Sequence, residues 1–322
     1  MDAAPALNPE QVDRFRTALD ALAPAGRIGV AVSGGPDSLA LLLLTQAARP
    51  DMIAAATVDH GLRREAADEA AMVAEICRAR AIPHTILRVT VADDPAGPQA
   101  AARRARYAAL GAWAERQGVT LLATAHHADD QAETLLMRLA RGAGLAGLAG
   151  IRRARRLAEA PGITLIRPLL DWTKAELEEI VAAAGLVPAR DPSNTDERYD
   201  RTRARALLAG GWPDPGRVAA SAHHLAEAEE ALDWAATRLT AERIDFSGDE
   251  AAIDVTGVPR ELRRRLLLTV FARIAPGVEM RGDAIDRLLR ALDQGKVATL
   301  GGFRCDPGPP WRVSRAAPRR SA

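Results

Sequence analysis

Aromatic residues are scarce in this 322-residue chain: Phe, Trp and Tyr together make up 3%. The interior must therefore be built from Leu, Val and Ala, and few side chains are left on which a base could stack. Cysteine is nearly missing as well. Cys77 and Cys305, the 2 present, form no CxxC pair and no ligand cluster. This excludes a disulfide framework and a structural zinc, and it fits a reducing compartment, the cytoplasm. The longest apolar stretch, Leu39 to Leu44, is far too short to span a bilayer. Met1 to Arg14 carries acidic residues instead of the apolar core of a signal sequence, so no membrane partner is expected. Net charge is lacking too: 43 Lys+Arg against 42 Asp+Glu leave +1, and any surface that binds a polyanion must be local.

What is present suffices to fold. Hydrophobic residues at 48% and charged residues at 26% describe a globular chain, and 322 residues exceed what one core usually holds. From Arg27 to about Leu170, short apolar runs alternate with longer amphipathic ones. Strands are expected at Ile28 to Val32, Ile53 to Val58, Thr85 to Val89, Val119 to Thr124 and Ile163 to Ile166. Helices are expected at Ser38 to Ala48, Glu65 to Ala79, Gln99 to Gln117 and Ala128 to Ala140. This is the pattern of an α/β doubly wound parallel sheet, whose ligand sits at the carboxyl ends of the strands. Thr173 and Glu176 match a capping box opening one more helix. The breaker cluster Gly210, Gly211, Pro213, Pro215 and Gly216 divides the chain into a catalytic domain, 1–214, and a smaller, mainly helical domain, 215–322. The smaller domain is read as helices at Val218 to Arg243, Arg260 to Ile274 and Asp283 to Leu292, followed by a Pro/Gly-rich tail carrying Arg304, Arg312, Arg315, Arg319 and Arg320.

The sharpest signal is Ser33-Gly34-Gly35-Pro36-Asp37-Ser38, between the first strand and the first crossover helix. The glycines let backbone approach an anion, and the helix start aims free N–H groups and its positive dipole end at the same point. A phosphate belongs there. The lysine of a GxxxxGK[ST] loop is missing, so that machinery is not implied. Asp37 beside a polyphosphate would be repelled unless a cation stood between them, which points to Mg²⁺. A Gly-Gly turn whose Asp caps a helix is the structural alternative.

This hexapeptide resembles the loop of enzymes that split ATP between the α and β phosphates. Four further segments narrow the resemblance: Val58-Asp59-His60-Gly61-Leu62-Arg63, Ala102-Arg103-Arg104-Ala105-Arg106-Tyr107, Ala125 to Thr134 (AHHADDQAET), and Arg190-Asp191-Pro192-Ser193-Asn194 with Tyr199 and Arg201. In that order they resemble the tRNA(Ile)-lysidine synthetase family over about residues 25–210. Gln99, where the family often has Glu, and Thr202 within Arg201-Thr202-Arg203 depart from its pattern. The resemblance implies ATP and Mg²⁺ as cofactors, and L-lysine and a CAU-anticodon tRNA(Ile) as partners. Lysine would be joined to C2 of the wobble cytidine after transfer of AMP to O2. The loop from Ser33 to Ser38 would then hold the phosphates and Asp37 the metal, with Val58, Asp59 and His60 near the adenosine.

Asp130 is the expected lysine contact, with Asp129 its neighbour. Asp130 and Glu133 also have the spacing of a capping pair, which leaves a purely structural reading open. Adjacent histidines on a strand face opposite ways, so of His126 and His127 one should be packed, and His127 is expected to shape the site. Arg103 and Arg106 share a helix face and would clamp phosphates of ATP or tRNA; a solvated face is the alternative. For RNA, two arginine clusters stand out: Arg138, Arg141, Arg152, Arg153, Arg155 and Arg156, and then Arg198, Arg201, Arg203 and Arg205. Two other functions compete: a tRNA thiolation enzyme with the same loop, which would need paired cysteines, and a non-catalytic nucleotide- or RNA-binding module. A homodimer is compatible with the sequence.

Overall fold

The computed structural model describes residues 7–61, 65–91, 97–189, 200–276, 280 and 282–316. In chain order the first elements are α1 (Pro9–Leu22), β1 (Ile28–Ala31), α2 (Pro36–Ala48), β2 (Ile53–Asp59), α3 (Glu65–Ala79), β3 (His84–Arg88), α4 (Pro98–Arg116) and β4 (Leu121–Ala123). Then come α5 (Ala128–Ala140), α6 (Leu145–Leu148), β5 (Ala154–Leu157), β6 (Ala160–Ile166), α7 (Lys174–Ala183), α8 (Asp200–Ala209) and the long α9 (Pro215–Arg243).

The strands form one sheet in the order β3-β2-β1-β4-β6-β5, parallel except for β5, which returns antiparallel beside β6. Ile28 of β1 is level with Ile53 of β2 on one side and Leu121 of β4 on the other. The chain steps outward from β1 through β2 to β3, then starts again at β4 on the other side. The switch point therefore lies between β1 and β4, and the loops leaving their carboxyl ends are neighbours.

Period-two alternation divides the core between the two faces of the sheet. Ile28, Val30, Ala55 and Ile166 pack against α1, α2, α3 and α7. Ala54, Ala56, Leu122 and Leu165 face α4 through Tyr107, Leu110 and Trp113. α2 is apolar nearly all round because it lies beneath other helices as well as on the sheet. Its Leu39, Leu41, Leu42 and Leu44 are wholly buried, each worth about 1.5–3 kcal/mol of burial. Gly29 leaves room on β1 for Trp113: a Cβ there would stand 2.9 Å from the indole ring.

Four segments escaped the sequence reading in this unit: α1, the short α6, β5 and α8. Asn8 caps α1 through the amide of Glu10, Pro9 occupies its first turn, and Val12, Phe15 and Leu19 bury one stripe. β5 is an edge strand with Arg155 and Arg156 at its centre, and a search for apolar runs passes over such a segment.

The chain divides into two compact units, 1–226 and 227–322, the division falling within α9. The C-terminal unit adds β7 (Ile244–Ser247), β8 (Glu250–Ile253), α10 (Arg260–Ile274), α11 (Gly282–Asp293), β9 (Ala298–Leu300), β10 (Phe303–Asp306) and β11 (Trp311–Arg315). The three expected helices are present. The expected Pro/Gly-rich tail is corrected: it supplies three strands of a five-stranded antiparallel sheet, ordered β7-β8-β11-β10-β9. Phe303, Cys305, Trp311 and Val313 point into the core while Arg304 and Arg312 point out, and Gly301 and Gly302 turn the β9–β10 hairpin with φ of +59° and +83°. Arg265 is buried in this unit against Glu229, Asp233 and Glu261, which accounts for its charge.

Candidate active site

The loop after β1 has the geometry of an anion cradle. Gly34 takes φ +88°, a left-handed value that favours glycine, and its carbonyl accepts from the amide of Ala189 at 2.9 Å. Gly35 is the N-cap of α2 and provides no side-chain cap, so the first amides of the helix keep their donors. Ser38, by contrast, is structural: its hydroxyl donates to the Gly35 carbonyl at 3.0 Å and accepts from the Ser33 amide at 3.1 Å. Those bonds hold the turn in shape. Ser33 itself remains exposed at the mouth.

Across the switch point, β4 ends at Ala123 and the chain reaches α5 through Thr124, Ala125 and His126. Both histidines lie beyond the strand, so strand alternation does not decide their directions. His126 sits beside the Thr124 hydroxyl, 3.1 Å from Nδ1. His127 is the N-cap of α5 and is buried. The capping pair is His127 with Asp130, not Asp130 with Glu133: Asp130 Oδ2 accepts from the His127 amide at 3.1 Å.

The imidazole of His127 stands among three carboxylates. Nε2 lies 3.6 Å from Asp37 and 3.6 Å from Asp130, and Nδ1 lies 3.4 Å from Asp129. These are ion-pair separations and not tight hydrogen bonds. Burial works against the charged ring, but the contacts with Asp129 and Asp37 and the charge of Asp130 outweigh it and lift the pKa to about 10. The same contact with His127 draws Asp129 below the ordinary carboxylate range, helped by the Lys174 amide that donates to it at 3.0 Å. Asp129 thereby ties α5 to α7, which leaves Asp37 and Asp130 as the acids facing the loop.

Asp37 has one oxygen, Oδ1, buried without a hydrogen-bond partner. An orphaned carboxylate oxygen at the start of a helix, beside a phosphate cradle, fits a hard cation such as Mg²⁺. No group of three or more protein ligands for a metal occurs among the described residues.

The other sequence-predicted residues fall around this centre in distinct roles. Val58, Asp59 and His60 do lie at the carboxyl end of β2, where Asp59 accepts from the Gly61 amide at 2.9 Å. Burial first, and the charge of Arg106 next, lower the pKa of His60. Arg103 and Arg106 flank the ring of Tyr107, their guanidinium carbons 5.0 and 5.2 Å from its centroid. Arg205 of α8 pairs with Glu133, which is buried, at 2.8 Å; this joins α8 to α5. Arg138 closes the loop beyond α5 on the carbonyls of Gly147 and Gly150. Arg153 holds both oxygens of Asp171 at 2.6 Å, and Arg156 reaches the Pro161 carbonyl, whereas Arg141 and Arg152 are exposed. Leu62, Arg63, Arg190, Asp191, Pro192, Ser193, Asn194, Arg198 and Tyr199 lie outside the described residues, and Arg201 is placed in α8 by its backbone. The sequence reading missed Arg167, which follows β6 and is 3% exposed. Its position at the carboxyl end of a strand was the available signal.

Phosphate loop, carboxylates and switch-point crevice define an α/β nucleotide-binding domain of the PP-loop class, and residues 8–210 match the PP-loop domain family. Among solved structures, the U34-tRNA thiolase NcsA from Methanococcus maripaludis superposes with a TM-score of 0.57 at 20% identity, covering 68% of this chain and 78% of that one. This likeness concerns the fold. The tRNA(Ile)-lysidine synthase of Novosphingobium aromaticivorans is 49% identical over 96% of this chain and 94% of its own length. That of Zymomonas mobilis is 46% identical over 92% and 91%. The chain belongs to the tRNA(Ile)-lysidine synthase family.

Proposed function

We propose that this chain joins free L-lysine to C2 of the wobble cytidine in the CAU anticodon of an isoleucine tRNA, consuming ATP and releasing AMP and pyrophosphate. The observation that carries this reading is the meeting of Asp37, His127 and Asp130 beside the uncapped start of α2, in a chain of this family.

The chemistry needs two steps. C2 of cytosine is a poor electrophile and its oxygen a poor leaving group. In the first step O2 attacks the α-phosphorus of ATP and pyrophosphate leaves. In the second, the lysine amine attacks C2 and AMP leaves with the former O2. The amides at the start of α2 bind the phosphates; Asp37 would hold Mg²⁺, and the ion when bound would supply positive charge to the phosphates. The attacking amine must lose a proton, because a free alkylamine titrates near pKa ~10.4. Asp130, which accepts from the His127 amide, orients the amine and receives that proton in this reading. His127 positions both acids. Val58 and its neighbours at the end of β2 border the adenosine, and Arg141 and Arg152 offer exposed charge to the tRNA.

The thiolation reading is disfavoured by the cysteines themselves. Cys77 and Cys305 are both buried, and burial pushes their thiols up to about 11 and about 12, values unsuited to a nucleophile or a cluster ligand. The test is product analysis with a CAU-anticodon tRNA(Ile) transcript. Lysine-stimulated AMP and pyrophosphate release is expected. ADP and orthophosphate as products, or no response to lysine, would overturn the proposal.

A further inference from the structure

Tyr107 of α4 is enclosed by cations drawn from three separate elements. Arg103 and Arg106 approach its ring from α4, and Arg155 of β5 stands 5.4 Å from its centroid. Arg167, at the end of β6, completes the group: Tyr107, Arg155 and Arg103 are the charged or polar side chains that bear on it. All four arginines lie at the carboxyl edge of the sheet, on the face covered by α4.

Arg167 makes the arrangement unusual. Its side chain is 3% exposed, its Nη1 donates to the Arg152 carbonyl at 2.5 Å, and its Nε is buried with no partner. No carboxylate among the described residues pairs with Arg106, Arg155 or Arg167. A buried guanidinium is ordinarily matched by an acid, as Arg265 is by Glu229 in the other unit. Here burial, together with Arg155 and Arg103, lowers its pKa to about 10, so it still carries its charge at neutral pH. Like charges held together around one phenol call for a counter-ion, and an anionic ligand would supply it.

We propose that Arg106, Arg155 and Arg167, grouped on Tyr107, form a subsite for a phosphodiester of the RNA substrate. The assignment rests on the tRNA reading above. It favours RNA over ATP because the cradle for the nucleotide phosphates opens from α2, which packs on the opposite face of the sheet from α4. It also separates Arg155 from its neighbours in sequence: Arg153 is held by Asp171 and Arg156 by a backbone carbonyl. Planar guanidinium groups spaced about a rigid ring suit a tetrahedral oxyanion on a flexible strand.

The experiment compares Arg155→Gln, Arg155→Lys and Arg116→Gln in the full chain. Arg116 lies in the last turn of the same helix, at the other edge of the sheet, and serves as a charge-matched control. Affinity for a tRNA(Ile) transcript is measured against salt concentration, and ATP affinity is measured by calorimetry. Arg155→Gln is expected to weaken RNA binding several-fold and to reduce the slope of log affinity on log salt by about 0.7–0.9, the share of one phosphate contact. ATP affinity should hold, Arg155→Lys should restore the slope, and Arg116→Gln should match wild type. An unchanged slope in Arg155→Gln, or weakened ATP binding with RNA binding intact, would overturn the subsite alone. Wild type failing to bind the transcript would instead remove the tRNA reading, and the subsite with it.

Discussion

His127 Nε2 stands midway between two acids from the first turns of different helices, 3.6 Å from Asp37 and 3.6 Å from Asp130. The pair Asp37 and His127 therefore joins the phosphate loop to the start of α5 across the switch point. Asp37→Asn preserves the shape and removes the charge that a cation needs. AMP formation should fall at least about a hundredfold, with tRNA affinity unchanged. Turnover near wild type, read by release of labelled pyrophosphate, would contradict the metal role.

Asp130→Asn separates capping from chemistry. The amide oxygen can still accept from the His127 backbone, so α5 should keep its start. What is lost is the proton acceptor, so kcat should fall, together with a charged contact to lysine worth about 1.5–3 kcal/mol, or roughly 10- to 150-fold in the KM for lysine. The KM for ATP should stay where it is, and a change in ATP alone would reassign the residue.

The Glu133–Arg205 pair joins a buried acid to an exposed base. Arg205→Gln takes a partner from a buried acid, whereas Glu133→Gln takes one from an exposed base, so the first should be the more destabilising single change, by about 1–3 kcal/mol in urea unfolding. The double variant should recover part of that loss. Additive losses in the cycle would argue against direct coupling.

Glu176 closes the capping box of α7, accepting from the Thr173 amide at 2.7 Å and from Arg14 at 2.5 Å. Burial works against its charge, but the bonds from Thr173 and Arg14 prevail and hold its pKa below the ordinary glutamate value. A depressed carboxyl adds stability that is full above its ordinary pKa and disappears as pH falls through the folded value. Glu176→Gln should therefore cost about 1 kcal/mol at neutral pH, and the gap from wild type should close once acid has protonated the folded carboxyl. A gap independent of pH would mean that packing, not charge, is at stake.

Gly29→Ala tests the contact that lets α4 lie on β1. The new methyl would meet Trp113 at 2.9 Å and Val119 at 3.2 Å, both in a fully packed layer. Overpacking of about 1–3 kcal/mol is expected, seen as a lowered thermal midpoint. An unshifted midpoint would show that Trp113 can move aside.

Much of this protein was legible in one dimension. α3 from Glu65 to Ala79, α5 from Ala128 to Ala140 and the Thr173–Glu176 cap fall where periodicity and capping chemistry put them, because those signals are local. The phosphate loop was legible for the same reason: Gly34 and Gly35 before a helix state their geometry in adjacent residues. The last three strands were missed because Gly301-Gly302 and the prolines of that segment read as a tail, although Phe303, Cys305, Trp311 and Val313 alternate.

The amino-acid order by itself determined the crossover pattern, the anion cradle and the acids near it. Only the tertiary structure decided which arginines serve the fold and which converge on one another. Arg153 and Arg155 are two residues apart, yet one meets Asp171 and the other Tyr107, 48 positions away in the chain. A guanidinium looks the same wherever it occurs in a sequence. Its role is set by the partner that folding brings within a few ångströms, because Coulombic and hydrogen-bond energies depend on distance in space and on the water excluded between the groups.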